Sequence, residues 1–150
     1  MKKYIIVLIL TMSVFLSSCS SPTFEISSID YIPKQEVVLF VLAHPDDETW
    51  CSGIMAKLVD KGYQVETVYA ADGSGGGDVS GQNLSGDELS VEREIELSNA
   101  LDIIGIVEQT YLFMLPDGRI RKNEVSFKEK LVDVLEETRP AYIFTFNETG

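Results

Sequence analysis

An apolar run at 37–42 and a mixed, strand-like stretch at 64–71 stand among segments whose apolar residues fall at helical spacing. The run Val37-Val38-Leu39-Phe40-Val41-Leu42, followed closely by Pro45, reads as a buried strand that stops, turns and starts a helix. Pro45 is then expected in the first helical turn, where its missing N–H has no partner to lose. Ile54, Met55, Leu58 and Val59 fall at helical spacing and predict a helix over 49–61, ended by Gly62 as a C′ residue. Val65, Val68 and Tyr69 give the stretch 64–71 strand character. Strand, helix and strand at this spacing make a right-handed βαβ unit, so the sheet is expected to be parallel. A long glycine-rich loop over 72–86 follows. The next helix begins at Asp87 or Ser90, presents Ile95, Leu97, Leu101 and Ile104, and closes at Gly105. A third strand is expected over 106–115, starting at Ile106 or nearer Thr110, and Pro116-Asp117-Gly118-Arg119 reads as a β-turn. Phe127, Leu131, Val134 and Leu135 share one face of a helix over 126–138, Pro140 stops it, and 141–146 forms a fourth strand. The fold class is therefore α/β, a Rossmann-like parallel sheet with flanking helices.

The first residues belong to a different pattern. Lys2 and Lys3 precede the apolar stretch Tyr4 to Leu10, and Thr11, Ser13, Ser17 and Ser18 break that stretch below membrane-spanning length. Leu16-Ser17-Ser18-Cys19 resembles a bacterial lipobox. It implies a signal peptide over 1–18, lipid on Cys19, a tether over 19–36 and an exported protein anchored to the cell membrane. A possible edge strand lies at 23–29, and the folded domain spans 37–150. With Cys19 lipidated, Cys51 has no disulfide partner among the two cysteines, and reads as a small buried thiol or as a soft zinc ligand. A net charge of −12 argues against a phosphate-backbone partner, which needs clustered Lys and Arg, so no nucleic acid is expected.

The candidate chemistry sits at Ala43-His44-Pro45-Asp46-Asp47-Glu48, at the C-terminal edge of the first strand, where open α/β sheets bind ligands. His44 is the only histidine of the chain. An imidazole and a carboxylate three residues apart suit zinc, which accepts both ligand types. Asp46 is left as a base, and a helix N-terminus there would favour its ionised form. The alternative for any lone His beside carboxylates is a surface or capping cluster. Glu48 reads as a solvated or supporting residue and Trp50 as packing at the helix start. The glycines of Asp72-Gly73-Ser74-Gly75-Gly76-Gly77-Asp78 lack the Gly-Lys-Ser/Thr ending of a phosphate loop and are read as a flexible loop. No Gly-x-Ser-x-Gly elbow or second histidine supports a serine hydrolase.

The hexad 43–48 resembles the signature of the LmbE-like (PIG-L) family of zinc-dependent N-deacetylases. The resemblance implies that His44 and Asp47 bind Zn2+, that Asp46 is the general base, and that the substrate is an N-acetylated amino sugar such as an N-acetylglucosaminyl group. Arg93 with Glu96 is similar to the family's Arg-x-x-Glu, which implies an Arg near the substrate; an exposed i,i+3 ion pair explains the same residues. Asp117 stands where the family often has an Asp-Gly that reaches a substrate hydroxyl, although the β-turn alone accounts for it. The family's third zinc ligand is a His soon after a stretch like Phe144-Thr145-Phe146-Asn147-Glu148-Thr149-Gly150. The chain thus resembles the N-terminal part of a longer domain, an LmbE-like fold expected to be truncated at the C-terminus. A non-catalytic carbohydrate-binding lipoprotein derived from such an enzyme is the alternative function.

Overall fold

A computed structural model describes residues 36–147. The readings over residues 1–35, lipidated Cys19 and the edge strand at 23–29 among them, lie outside the described residues.

Four parallel strands form one sheet: β1 (Val37–Leu42), β2 (Gln64–Ala71), β3 (Thr110–Leu115) and β4 (Tyr142–Thr145), in the spatial order β3-β2-β1-β4. The chain steps outward from β1 through β2 to β3, then returns to pair β4 with the other side of β1. The direction of winding therefore reverses between β1 and β4. A crevice opens at such a switch point, outside the carboxyl ends of the strands. The residues that follow β1 sit at its mouth.

Three helices connect the strands: α1 (Ser52–Asp60), α2 (Asp87–Ile104) and α3 (Glu124–Thr138). Alternate residues of a strand face opposite sides of a sheet. Leu39, Val41, Val68, Phe113 and Leu115 accordingly pack with Val134 of α3, and Phe127, Leu131 and Leu135 close over them. On the other face, Phe40 and Leu42 share a cleft with Ile54 of α1, and Leu97 and Leu101 of α2 approach Leu112. β1 lies between two strands and under both helical layers, so Val38 to Leu42 are all buried. Such a strand shows an unbroken apolar run, not alternation.

Phe40 is 1% exposed and stacks on Phe144 with ring centroids 4.9 Å apart, joining β1 to the returning strand. Phe40→Ala is expected to lower unfolding free energy by about 3–5 kcal/mol, measured by urea titration. A loss below about 1 kcal/mol would mean the central strand tolerates a cavity there, contrary to this packing.

Several sequence-based boundaries shift. Residues 47–50 form a separate 3-10 turn (Asp47–Trp50), and the α-helix starts only at Ser52, not at 49. Pro45 therefore lies in the turn before any helix, not in a first helical turn. Trp50 is 84% exposed and does not pack at the helix start, because the 3-10 turn directs it outward. In α2 the buried residues are Leu89, Ser90, Leu97 and Leu101, while Ile95 is exposed. β3 begins at Thr110, the later of the two expected starts, and β4 is two residues shorter than expected, at Tyr142–Thr145. No helix of the described residues is long and apolar enough to cross a membrane.

Candidate active site

The carboxyl end of β1 gathers the hexad into one tight turn. Asp47 Oδ2 accepts the N–H groups of Ala43 at 2.9 Å and His44 at 2.8 Å, which pins this carboxylate beside the strand end. The same oxygen lies 3.8 Å from His44 Nδ1. His44 Nε2 meets Asp117 Oδ1 at 2.9 Å. An ionised carboxylate only accepts, so Nε2 is the donor to Asp117, and a neutral ring donating there has its lone pair on Nδ1, the nitrogen on the Asp47 side. That is the tautomer a metal-binding imidazole needs, with its outer N–H held by a carboxylate.

Asp117 reaches His44 because of an irregularity in β3. Tyr69 pairs with Leu112 and Ala71 with Leu115, so β3 carries one extra residue between the two pairings. Met114 takes φ 54 within it. The bulge turns the strand end so that Asp72 N–H reaches Leu115 O at 2.9 Å, and Asp72 Oδ1 accepts Asp117 N–H at 3.1 Å. The Pro116–Arg119 turn is present, with Arg119 N–H on Pro116 O at 3.1 Å. Asp117 is thus more than a turn residue, and its side chain meets His44.

Asp72 also accepts Ser74 N–H at 3.0 Å and the Ser74 hydroxyl at 2.7 Å. Burial pushes its pKa up, but the hydrogen bonds from Ser74 and Asp117 outweigh burial and hold the carboxyl below its ordinary value. The loop read as flexible is consequently tied at its start. Further on, Asp78 accepts Ser80 N–H at 2.7 Å and Leu84 N–H at 3.0 Å. Hydrogen bonds from the Ser80 hydroxyl and then Leu84 N–H hold the Asp78 pKa at about 2.

Arg93, on α2, points into the site. Its Nη1 lies 3.5 Å from Asp46 Oδ2, and its side chain is 17% exposed, so the structure pairs it with Asp46 and the i,i+3 pair with Glu96 does not form. The glycine loop lets it in. A Cβ on Gly76 would lie 2.5 Å from Arg93 Nη2, and one on Gly73, which has φ +71, would lie 2.9 Å from Arg93 Cδ. These glycines make room for a guanidinium instead of cradling a phosphate. α1 starts only at Ser52, so the helix N-terminus beside Asp46 is that of the four-residue 3-10 turn, and a full positive charge facing Asp46 comes from Arg93.

Asp46 occupies a backbone region that L residues rarely adopt, at φ 121 and ψ −17. Such conformations cost about 1–3 kcal/mol and cluster at functional sites. Asp46→Gly is therefore expected to be more stable than Asp46→Ala by about 1 kcal/mol in thermal unfolding, since glycine sheds the strain that alanine keeps. Equal stability of the two variants would contradict strain at this position.

Two residues that motif reasoning left aside complete the turn. Glu48 is only 6% exposed; its Oε2 accepts Asp46 N–H at 3.1 Å and the Tyr69 hydroxyl at 3.3 Å. Of the two expected roles, Glu48 is thus the supporting residue and not a solvated one. Burial, then the Glu48 charge and hydrogen bond, push the Tyr69 pKa well above its ordinary value. The available signal was Tyr69 itself: a tyrosine inside a buried strand needs a hydroxyl partner. Cys51 is half-buried, with Sγ 4.0 Å from Asp47 O, and burial followed by Glu48 and Asp47 raises its pKa to about 11.

His44 and Asp47 supply the nitrogen and oxygen donors that zinc accepts. Among the described residues no group of three His, Cys, Asp or Glu side chains is placed to hold a metal ion, so these two are a partial donor set. Beside them, Phe40, Leu42, Trp50, Ile54, Phe144 and Phe146 line an apolar cleft of about 130 Å3 in the switch-point crevice. A second cavity of about 250 Å3, between α2 and β3, contains none of the hexad.

Two curated relatives are each named 1D-myo-inositol 2-acetamido-2-deoxy-alpha-D-glucopyranoside deacetylase. The one from Kineococcus radiotolerans is 32% identical over 97 residues, covering 63% of this chain and 27% of the relative. The one from Saccharopolyspora erythraea, numbered 1, is 30% identical over 143 residues, covering 75% of this chain and 47% of the relative. Among solved structures, the N,N'-diacetylchitobiose deacetylase of Pyrococcus horikoshii, complexed with its inhibitor, superposes with a TM-score of 0.64 at 26% identity, over 79% of this chain and 45% of that one. The chain spans less than half the length of each. The family model described as PIG-L: GlcNAc-PI de-N-acetylase matches residues 39–150, and the chain belongs to that family.

Proposed function

We propose that this chain carries the catalytic turn of a zinc-dependent hydrolase that removes the acetyl group from an N-acetylated amino sugar. The observation that carries the reading is His44 held between Asp47 and Asp117, with the Asp46–Arg93 pair in the same turn, at the carboxyl end of β1. Its named relatives are deacetylases of 2-acetamido sugars, which supports an N-acetylglucosaminyl-type substrate.

His44, through Nδ1, and Asp47 would hold the zinc ion. Zinc, when bound, supplies a Lewis acid that polarises a carbonyl and acidifies water. The other roles fall to the chain. Asp46, 61% exposed at its side chain, is open to substrate and accepts the proton of the attacking water. It then returns that proton to the amide nitrogen as the C–N bond breaks, leaving acetate and a free amine. Arg93 orients the Asp46 carboxylate and, beside it, would contact the sugar. Asp117 fixes the His44 ring and its tautomer. The lipobox supports export and a lipid anchor on Cys19, which would hold the site at a membrane surface.

The partial donor set favours one second reading, a carbohydrate-binding lipoprotein without turnover. Acetate release from N-acetylglucosaminyl conjugates separates the two. The enzyme reading expects acetate and amine in equal amounts. Sugar binding by zinc-loaded protein without acetate would overturn it.

A further inference from the structure

We propose that Glu48 and Tyr69 form a buried clamp that holds the Asp46 peptide in its strained conformation, making both of them positioning residues for the base. The inference rests on the reading of Asp46 as base and assigns a role to residues that the mechanism above does not use.

Three observations converge on it. Asp46 adopts φ 121, which its own side chain resists, so something outside the residue must maintain it. Its N–H points inward onto Glu48 Oε2 at 3.1 Å, although its carboxylate points outward to Arg93. Glu48 itself is buried, as acidic side chains seldom are without a partner, and Tyr69 secures the same oxygen from the adjacent strand. The clamp thus ties the turn after β1 to the fully buried ring of Tyr69 on β2. It is separate from the metal-facing contacts, since Asp47 is positioned by the N–H groups of Ala43 and His44. Loosening the clamp should move the base relative to the substrate while leaving the zinc donors in place. A displacement on the order of 1 Å costs roughly 10²-fold in turnover.

The test compares Glu48→Ala, Glu48→Gln and Tyr69→Phe with the wild type. The readouts are kcat, KM, zinc content and hydrogen exchange of the Asp46 amide. Glu48→Ala is expected to lower kcat about 10²-fold with KM and zinc content unchanged, and to speed exchange at Asp46 but not at Phe40 or Val41. Glu48→Gln, which keeps an acceptor, should recover most of that loss. Tyr69→Phe removes only a hydroxyl and should lower kcat about tenfold, so it carries the test if Glu48→Ala does not fold. Unchanged Asp46 exchange in folded variants would overturn the clamp, as would a glutamine variant no better than alanine. If the wild type releases no acetate, the deacetylase reading fails on its own, and exchange at Asp46 still decides whether the clamp exists.

Discussion

Asp46→Asn is expected to lower kcat by about 10²–10⁴-fold while zinc content and thermal midpoint stay at their wild-type values. The substitution preserves shape, and asparagine tolerates positive φ better than most residues, so the turn at φ 121 should survive. What it removes is proton affinity: an amide cannot take a proton from water at neutral pH. Arg93 then faces a neutral group at about the distance it now holds from Asp46 Oδ2, 3.5 Å. Because Asp46 is exposed, losing that ion pair should cost little stability. The check is turnover by acetate release beside circular dichroism and zinc content. Wild-type kcat in a folded, zinc-loaded variant would remove Asp46 from the proton transfer.

The second large effect is on metal. His44→Ala is expected to abolish zinc binding at the chain's single histidine, and turnover with it. Its loss should exceed the roughly 10–100-fold weakening expected for Asp117→Asn, which spares the donor and removes only the charge holding Nε2. The ordering matters more than either value. Zinc binding that survives His44→Ala would place the metal elsewhere, and an Asp117→Asn effect as large as that of His44→Ala would make Asp117 a ligand in its own right. Both affinities are accessible by competition against a chromogenic chelator.

β1 and β2 could be read from the sequence to the residue: β1 is an unbroken apolar run, and β2 combines Val65, Val68 and Tyr69 between turn residues although Glu66 and Thr67 are buried with them. The parallel order followed from their spacing. α3 was legible for a related reason: Phe127, Leu131, Val134 and Leu135 make one stripe that packs as a unit. α2 was less so. Ile95 fits the period, but the face that meets β3 is set by Leu97 and Leu101, and Ile95 rotates into solvent. The hexad's position was evident from the strand before it, whereas its internal wiring was not. Periodicity says nothing about a backbone at φ 121, a bulge at Met114, or a glutamate that turns inward to a tyrosine. Those features depend on which strands lie side by side, and hence on tertiary contacts over separations of about 20 to 70 residues, such as Glu48 with Tyr69 and His44 with Asp117.

The most direct test of the central claim is zinc-dependent acetate release. Purified protein is given an N-acetylglucosaminyl conjugate, and acetate and free amine are followed before chelation, after chelation, and after zinc is restored. The expected result is equimolar acetate and amine, abolished by the chelator, recovered with zinc, and slowed by about 10²-fold or more in Asp46→Asn. Acetate release that continues at full rate after zinc has been stripped would contradict the account, and so would zinc-loaded protein that binds the sugar and never releases acetate.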